Sequence, residues 1–302
     1  MTRRKTATKR SRSSSKRTAG RNSFTANARR FLKSLTGAAI ASFSVASFIL
    51  HPQWRAEIDL SPWLGEWVLP QHQPAPPLVQ ASGEYAQTRF ADCRDLFPAA
   101  VTPVVPAAPA LRELCFSSFA ILHSGATKTP VFVAQHLNRT VLQQARGIQR
   151  TDRFYPEARL PSAERAELAD YRGSGYSRGH MAPAADMPSA EAMAQSFSLA
   201  NMVPQDPSQN SGPWNRIEQD TRKYIRRTSN DVYVFTGPVY GDRIKTIGEG
   251  RVAVPEALYK VVHDAGTGRT WVHWQQNGPD AVATRPISYA EFVKRTGLYL
   301  LP

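Results

Sequence analysis

Apolar and polar positions fall into short, distinct runs over the C-terminal two-thirds of the chain, and most of the runs read as strands. FSSFAILHS (116–124) and PVFVAQHL (130–137) are rich in branched and aromatic residues and separated by a polar turn, which predicts a β-hairpin. DVYVFTGPVY (231–240) predicts a buried strand stopped by Gly237 and Pro238. YKVVHD (259–264) and TWVHWQQ (270–276) flank an AGTG turn and predict a second hairpin. The period lengthens in PWNRIEQDTRKYIRR (213–227), where Trp214, Ile217, Thr221, Tyr224 and Ile225 share one helical face and Pro213 suits the first turn. A last helix opens with Ser288 and Glu291 at capping-box spacing and closes at Gly297. Strands and helices mix without βαβ regularity. The expected class is α+β with a largely antiparallel central sheet.

The N-terminal third has a different texture and sets the expected domain boundaries. Residues 1–34 carry 12 Lys or Arg and no acid, and predict a disordered cytoplasmic tail. The chain has 38 basic and 24 acidic residues, so beyond residue 34 the balance is 26 against 24. The net charge of +14 is therefore a property of the tail, and phosphate binding elsewhere must come from local clustering. Residues 35–50 (LTGAAIASFSVASFIL) carry no charge, and read as a signal or membrane-anchor segment. RRFLK (29–33) looks like a twin-arginine export signal that lacks one residue of the pattern. Basic before apolar places the tail inside and the remainder outside. Residues 51–84 read as a Trp-containing juxtamembrane segment and a Pro-rich linker, and 85–302 as the functional domain. These features lead to the expectation of an exported protein, periplasmic or membrane-anchored. Cys93 and Cys115, the two cysteines, would be a disulfide in an exported chain and two buried thiols in a cytosolic one. PAAVTPVVPAAPA (98–110), between them, reads as a surface loop.

The candidate chemistry sits in two clusters. GYSRGHMAPAADM (175–187) packs Arg178, Gly179 and His180 into a short extended stretch, with Arg178 and His180 on the same side of a strand. Phosphodiester cleavage needs a base to deprotonate water, a cation beside the phosphate, and donors for the developing charge. His180 is the candidate base, Arg178 a phosphate clamp, and Gly179 a point where backbone approaches substrate closely. The second cluster, SLANMVPQDPSQNSGPWNRIEQDTRK (198–223), supplies Asn201, Asn210, Glu218 and Arg222. Asn210, just before the helix, offers an amide oxygen of the hard type that Mg²⁺ prefers. Taken singly these residues have ordinary readings: His180 as a structural histidine, Glu218 and Arg222 as an i,i+4 ion pair.

RGH, then LANMVPQ, then Asn210 nine residues after Asn201, then Trp214 and Glu218 on a helix, in this order, resembles the DNA/RNA non-specific endonucleases related to Serratia nuclease and endonuclease G. The resemblance covers about residues 85–302 and implies a ββα-metal (His-Me finger) catalytic core. It implies a Mg²⁺-dependent endonuclease (Mn²⁺ being the second candidate metal) that hydrolyses phosphodiester bonds in DNA and RNA and leaves 5′-phosphorylated products. By the same resemblance His180 is the general base and Asn210 the protein ligand of a hydrated metal. Glu218 then holds metal-bound waters, Arg178 and Arg222 stabilise transition-state charge, and Asn201 supports the geometry through hydrogen bonds. Arg150 loosely matches a family arginine that contacts phosphate. Expected partners are DNA and RNA, a membrane through the N-terminal segment, and a second copy of the chain, since family members often dimerise. Ser177 stands where the family has Asp, which removes a negative charge beside Arg178. It leaves a second reading, a catalytically weakened nucleic-acid-binding or uptake protein on the same fold.

Overall fold

The structure, a computed structural model, describes residues 75–302. The expectations for residues 1–34 and 35–50, and for 51–84 as far as residue 74, lie outside the described residues.

The centre is a six-stranded, wholly antiparallel sheet built from β1 (Leu111–Cys115), β2 (Ala120–Ser124), β3 (Thr129–Leu137), β6 (Val232–Val239), β7 (Ala257–Asp264) and β8 (Arg269–Gln276). Their order across the sheet is β8-β7-β6-β3-β2-β1. Both expected hairpins are present, as β2–β3 and β7–β8, and the strand expected at 231–240 is β6. The central strands are apolar on both faces because the sheet is covered on both. On one face Phe90, Phe97, Phe132 and Phe235 form an aromatic core with Tyr259 and Phe292. On the other, Ile121, Val133 and Leu258 pack against Met181, Phe197, Val203, Trp214 and Ile217, all from the segments that carry the candidate chemistry. The α+β class and the antiparallel sheet are as expected.

β4 (Ser177–His180) and β5 (Met202–Gln205) form a separate two-stranded ribbon, and α3 (Asn215–Arg227) follows it. Other helices of six residues or more are α1 (Arg139–Gln144), α2 (Ala190–Ser196) and α4 (Tyr289–Thr296). α4 begins and ends as its sequence dictates: the Ser288 side chain accepts from the Glu291 amide, and Gly297 takes φ +68° at the C-terminal turn. Glu291 does not complete a capping box, because its carboxylate accepts from Arg295 Nε at 2.7 Å instead. α3 starts two residues later than the periodicity suggests. Residues Asn210–Trp214 form a wider π-helical turn that accommodates Pro213, which has no amide hydrogen to give.

Cys93 and Cys115 are joined by a disulfide with Cα atoms 5.8 Å apart. It ties the segment before the sheet to edge strand β1, and closing 22 residues of chain stabilises the fold by about 3 kcal/mol. Residues 98–110 are more ordered than a surface loop: Val104–Pro106 pairs with Tyr85–Gln87. Residues in the expected linker also join the domain, through a bridge between Leu78 and Arg112 and the pairing of Ala81–Ser82 with Tyr85–Gln87.

Candidate active site

In the ribbon His180 lies opposite Met202 and Ser177 opposite Gln205. A strand alternates its side chains, so Arg178 and His180 emerge together, as expected. Both meet the same ring. The Arg178 guanidinium lies 4.0 Å from the centroid of Phe154, and the His180 ring is 5.8 Å from it. The Phe197 ring is 5.0 Å from the imidazole, edge to face, and 4.9 Å from Phe154, so the three rings form one cluster. Gly179 points the opposite way and is buried, which corrects its expected role. It does not meet substrate; a Cβ there would collide with Gln205, 2.6 Å from that residue's Cβ, so glycine is what lets β4 and β5 pair.

His180 is held in place from behind by Asn201. This fully buried amide accepts from Ala182 N at 2.9 Å and donates to Ala182 O and Ser196 O, both at 2.9 Å. Met181 N also donates to the Asn201 carbonyl. Asn201 therefore positions the segment after His180 and has no surface for substrate. Asn201→Ala would strand three buried backbone groups, each worth about 1–3 kcal/mol unsatisfied. The expected loss is about 3 kcal/mol or more of unfolding free energy, read as a lower urea midpoint at unchanged m-value.

Asn210 reaches the site by a different route. Asp206 caps the short helix Pro207–Gln209, accepting from Ser208 N and Gln209 N, and Asn277 accepts from Asp206 N at 2.7 Å. A buried amide ladder, Gln205 to Gln209 (2.5 Å) and Gln209 to Gln275 (3.1 Å), fastens that helix to β5 and to the central sheet. Asn210 follows at once, and its side chain lines a cavity of about 620 Å³ with Arg178, Ser177, Tyr176 and Phe154. Ser177 and Asn210 thus share the cavity with Arg178.

Beneath this surface α3 carries a buried charge network. Arg222 pairs with Asp186 at 3.0 Å, both nearly buried. Glu218, one turn earlier, lies among Lys260, Arg222 and Asp186. Burial is the main cause that raises its carboxyl to about pH 7, against the opposing pull of Lys260 and Arg222. Lys260, from the middle of β7, is buried, donates to Thr236 Oγ1 at 2.7 Å and sits 5.5 Å from the Trp214 ring centroid. Arg222 is thus engaged with a carboxylate, and does not present a free guanidinium to the cavity.

The electrostatics of His180 follow from the same packing. Desolvation by burial, then the positive charge of Arg150, hold its pKa down to about 3, with Asp152 opposing and Arg178 adding. Its Nε2 is shut off from solvent without a hydrogen-bond partner among the described residues. The imidazole is therefore neutral at pH 7 and able to accept a proton. Arg150 lies 4.9 Å from the Phe197 ring centroid, close behind His180. Phe154, Phe197, Asp186 and Lys260 escaped the sequence reading. Lys260 alone left a signal, a lone charge inside the apolar run ALYKVV (257–262).

Among the described residues no group of three or more His, Cys, Asp or Glu is placed to hold a metal ion. The donors available are Asn210 at the cavity and Glu218 behind it. That set fits a hydrated hard cation held by few protein oxygens, and does not fit a zinc centre.

A family model described as DNA/RNA non-specific endonuclease matches residues 99–297. The human nuclease EXOG, mitochondrial, is 40% identical over 159 residues, covering 49% of this chain and 43% of that protein. Human endonuclease G, mitochondrial, is 35% identical over 166 residues, covering 51% of this chain and 55% of the relative. Nuclease C1 of Cunninghamella echinulata is 37% identical over 157 residues, covering 48% of this chain and 62% of that one. The chain thus spans about half the length of the curated relatives it matches. The solved EndoG/EndoGI complex superposes with a TM-score of 0.56 at 23% identity, covering 70% of this chain and 91% of that chain, a likeness of fold. These relatives overturn the expectation of an exported protein, periplasmic or membrane-anchored: EXOG, endonuclease G and a fission-yeast nuclease are named as mitochondrial. The physical source of the misreading is that an Arg- and Ser-rich, acid-free N-terminus is equally the composition of an organelle transit peptide. With two-thirds of its length matched by the family model, the chain belongs to the DNA/RNA non-specific endonuclease family.

Proposed function

We propose that this protein is a metal-dependent endonuclease that hydrolyses phosphodiester bonds in DNA and RNA without sequence preference. One observation carries the reading. Arg178 from β4 and Asn210 from the turn before α3 line one cavity with Phe154, and His180, also from β4, packs against the same Phe154 ring. Neutral His180 takes a proton from the attacking water. Arg178, at the exposed rim, binds a non-bridging phosphate oxygen and offsets the charge that develops on it. Asn210 would be the direct protein ligand of Mg²⁺, and Glu218 would accept hydrogen bonds from its waters. A metal so held would supply positive charge beside the phosphate and the departing 3′ oxygen. Substrate phosphate beside Arg178 and Arg150 compensates the two charges that depress His180, so its basicity rises when substrate arrives. Asn201 and Arg222 position the segments that carry these groups. Contacts aimed at phosphate carry no base information, in keeping with nonspecific cutting.

The experiment is incubation of the full chain with plasmid and with RNA, in Mg²⁺ and in chelator. Degradation that needs the metal supports the nuclease. Retention of nucleic acid without cutting supports the weakened binder, which Ser177 in place of the family Asp keeps in view.

Cutting is also expected to rise with pH across the neutral range. The useful form of Glu218 is the carboxylate, and its carboxyl is raised to about 7, so the active fraction grows roughly tenfold per unit below that value. His180, down to about 3 in the free protein, does not titrate there. Initial nicking rates in saturating Mg²⁺ should lose this slope in Glu218→Gln. A slope that survives the substitution assigns the titration to another group.

A further inference from the structure

A second recess, of about 300 Å³, is lined by Arg146, Arg150 and Arg226 with Leu142, Ala184 and Met193. The arginines come from separate places: Arg146 just beyond α1, Arg150 from the loop that follows, Arg226 from the last turn of α3. Among the described residues no carboxylate lines the recess. Among the described residues the ion pair in this cluster is Arg150 Nε with Asp152 Oδ1 at 2.6 Å, both about half exposed. Arg226 Nε is closed off from solvent and has no hydrogen-bond partner among the described residues. Three like charges around a small recess repel one another, and a sequestered donor without an acceptor costs further free energy. An anion entering the recess relieves both. The guanidinium fork matches two oxygens of a phosphate at once.

The position of the recess indicates which anion. The Phe197 ring links the two, 5.0 Å from His180 and 4.9 Å from the Arg150 guanidinium. Ala184 and Ala185, at its floor, follow His180 by only four and five residues. We propose that Arg146, Arg150 and Arg226 form a phosphate subsite for the nucleic-acid backbone, holding a phosphate that flanks the one cleaved. The occupant rests on the nuclease reading above. Arg146 and Arg226 set register and affinity, while Arg150, close to His180 through the Phe197 ring, also acts on the basicity of that imidazole.

The test is binding without cutting. A labelled single-stranded oligonucleotide is titrated with the full chain carrying His180→Ala, in chelator, across about 50–200 mM salt. Arg146→Gln and Arg226→Gln are each expected to weaken binding about five- to tenfold and to reduce the log–log salt slope by about one. Arg295→Gln, an exposed residue paired with Glu291, should change neither. Unaltered affinity and slope in both arginine variants overturn the subsite. Arg146 is exposed at the end of a helix, so its variant decides the matter even if Arg226→Gln fails to fold. Inorganic phosphate should displace the oligonucleotide only at concentrations where ionic strength alone does so. Displacement well below that, lost in the double variant, assigns the recess to free phosphate and overturns the proposal. A chain that cuts nothing yet binds with an Arg146-dependent slope sinks the nuclease reading and leaves the subsite standing. A chain that cuts, with binding indifferent to both arginines, does the reverse.

Discussion

His180→Ala is expected to lower metal-dependent cutting about 100- to 10,000-fold, the range a positioned general base contributes. The imidazole packs against Phe154 and Phe197, so alanine leaves a small apolar gap and no unsatisfied donor. The fold should therefore survive, with the thermal midpoint lowered by a few degrees at most. Binding of oligonucleotide in chelator should be unaffected or slightly stronger, because Arg178 and Arg150 remain. The measurement is single-turnover cleavage of plasmid beside that binding control. Cutting at the wild-type rate by a folded variant would remove His180 from the chemistry. His180→Gln is the sharper second variant. It keeps a polar side chain of similar size but cannot accept a proton at neutral pH, so loss of activity there cannot be blamed on packing.

Asn210→Ala is expected to cost about 100-fold or more in cutting at limiting Mg²⁺, with part of the loss recovered as Mg²⁺ is raised. Loss of a group that only orients a ligand typically costs 10- to 100-fold in metal affinity or activity, and a direct ligand should cost at least as much. The Gln205–Gln209–Gln275 ladder and the Asp206 cap lie upstream of Asn210 and are untouched, so the backbone turn persists. Two readouts separate metal from substrate: the Mg²⁺ concentration at half-maximal rate, and oligonucleotide affinity in chelator. The first should rise and the second stay fixed. Asn210→Asp, which keeps an oxygen donor and adds charge, should retain much of the metal affinity. An unchanged Mg²⁺ requirement in Asn210→Ala would place the metal elsewhere.

Much of the site was legible because its decisive relations are local. Arg178 and His180 share a face through the two-residue period of a strand, whatever else the chain does. Helix 213–227 announces itself through Trp214, Ile217, Thr221 and Ile225, and places Glu218 and Arg222 one turn apart by helical geometry alone. The order of RGH, the Asn201 segment, Asn210 and Glu218 carried the family. Gly179 and Arg222 were read differently because spacing gives a residue's face and not what lies opposite. Gly179 faces Gln205 across the ribbon, 26 positions away. Arg222 is captured by Asp186, which is 36 residues distant. The N-terminal address was misread for a related reason: composition there serves more than one targeting route, and no packing arbitrates between them.

The sequence by itself determined the α+β class, the two hairpins, the helix before which Asn210 stands, and the polarity of the catalytic strand. These follow from periodicity, turn residues and caps, all encoded within a few residues of where they act. Only the tertiary structure decided that Phe154 and Phe197 pack against His180, that Asn201 clamps the segment behind it, and that Lys260 and Asp186 lie buried beside Glu218 and Arg222. It alone brought Arg146, Arg150 and Arg226 around one recess. Each of those relations joins segments tens of residues apart, so it depends on loop closure and on the register in which sheet and helix meet. Burial then fixes the chemistry: an imidazole is neutral, and a carboxyl titrates near pH 7, according to what the rest of the chain packs around it.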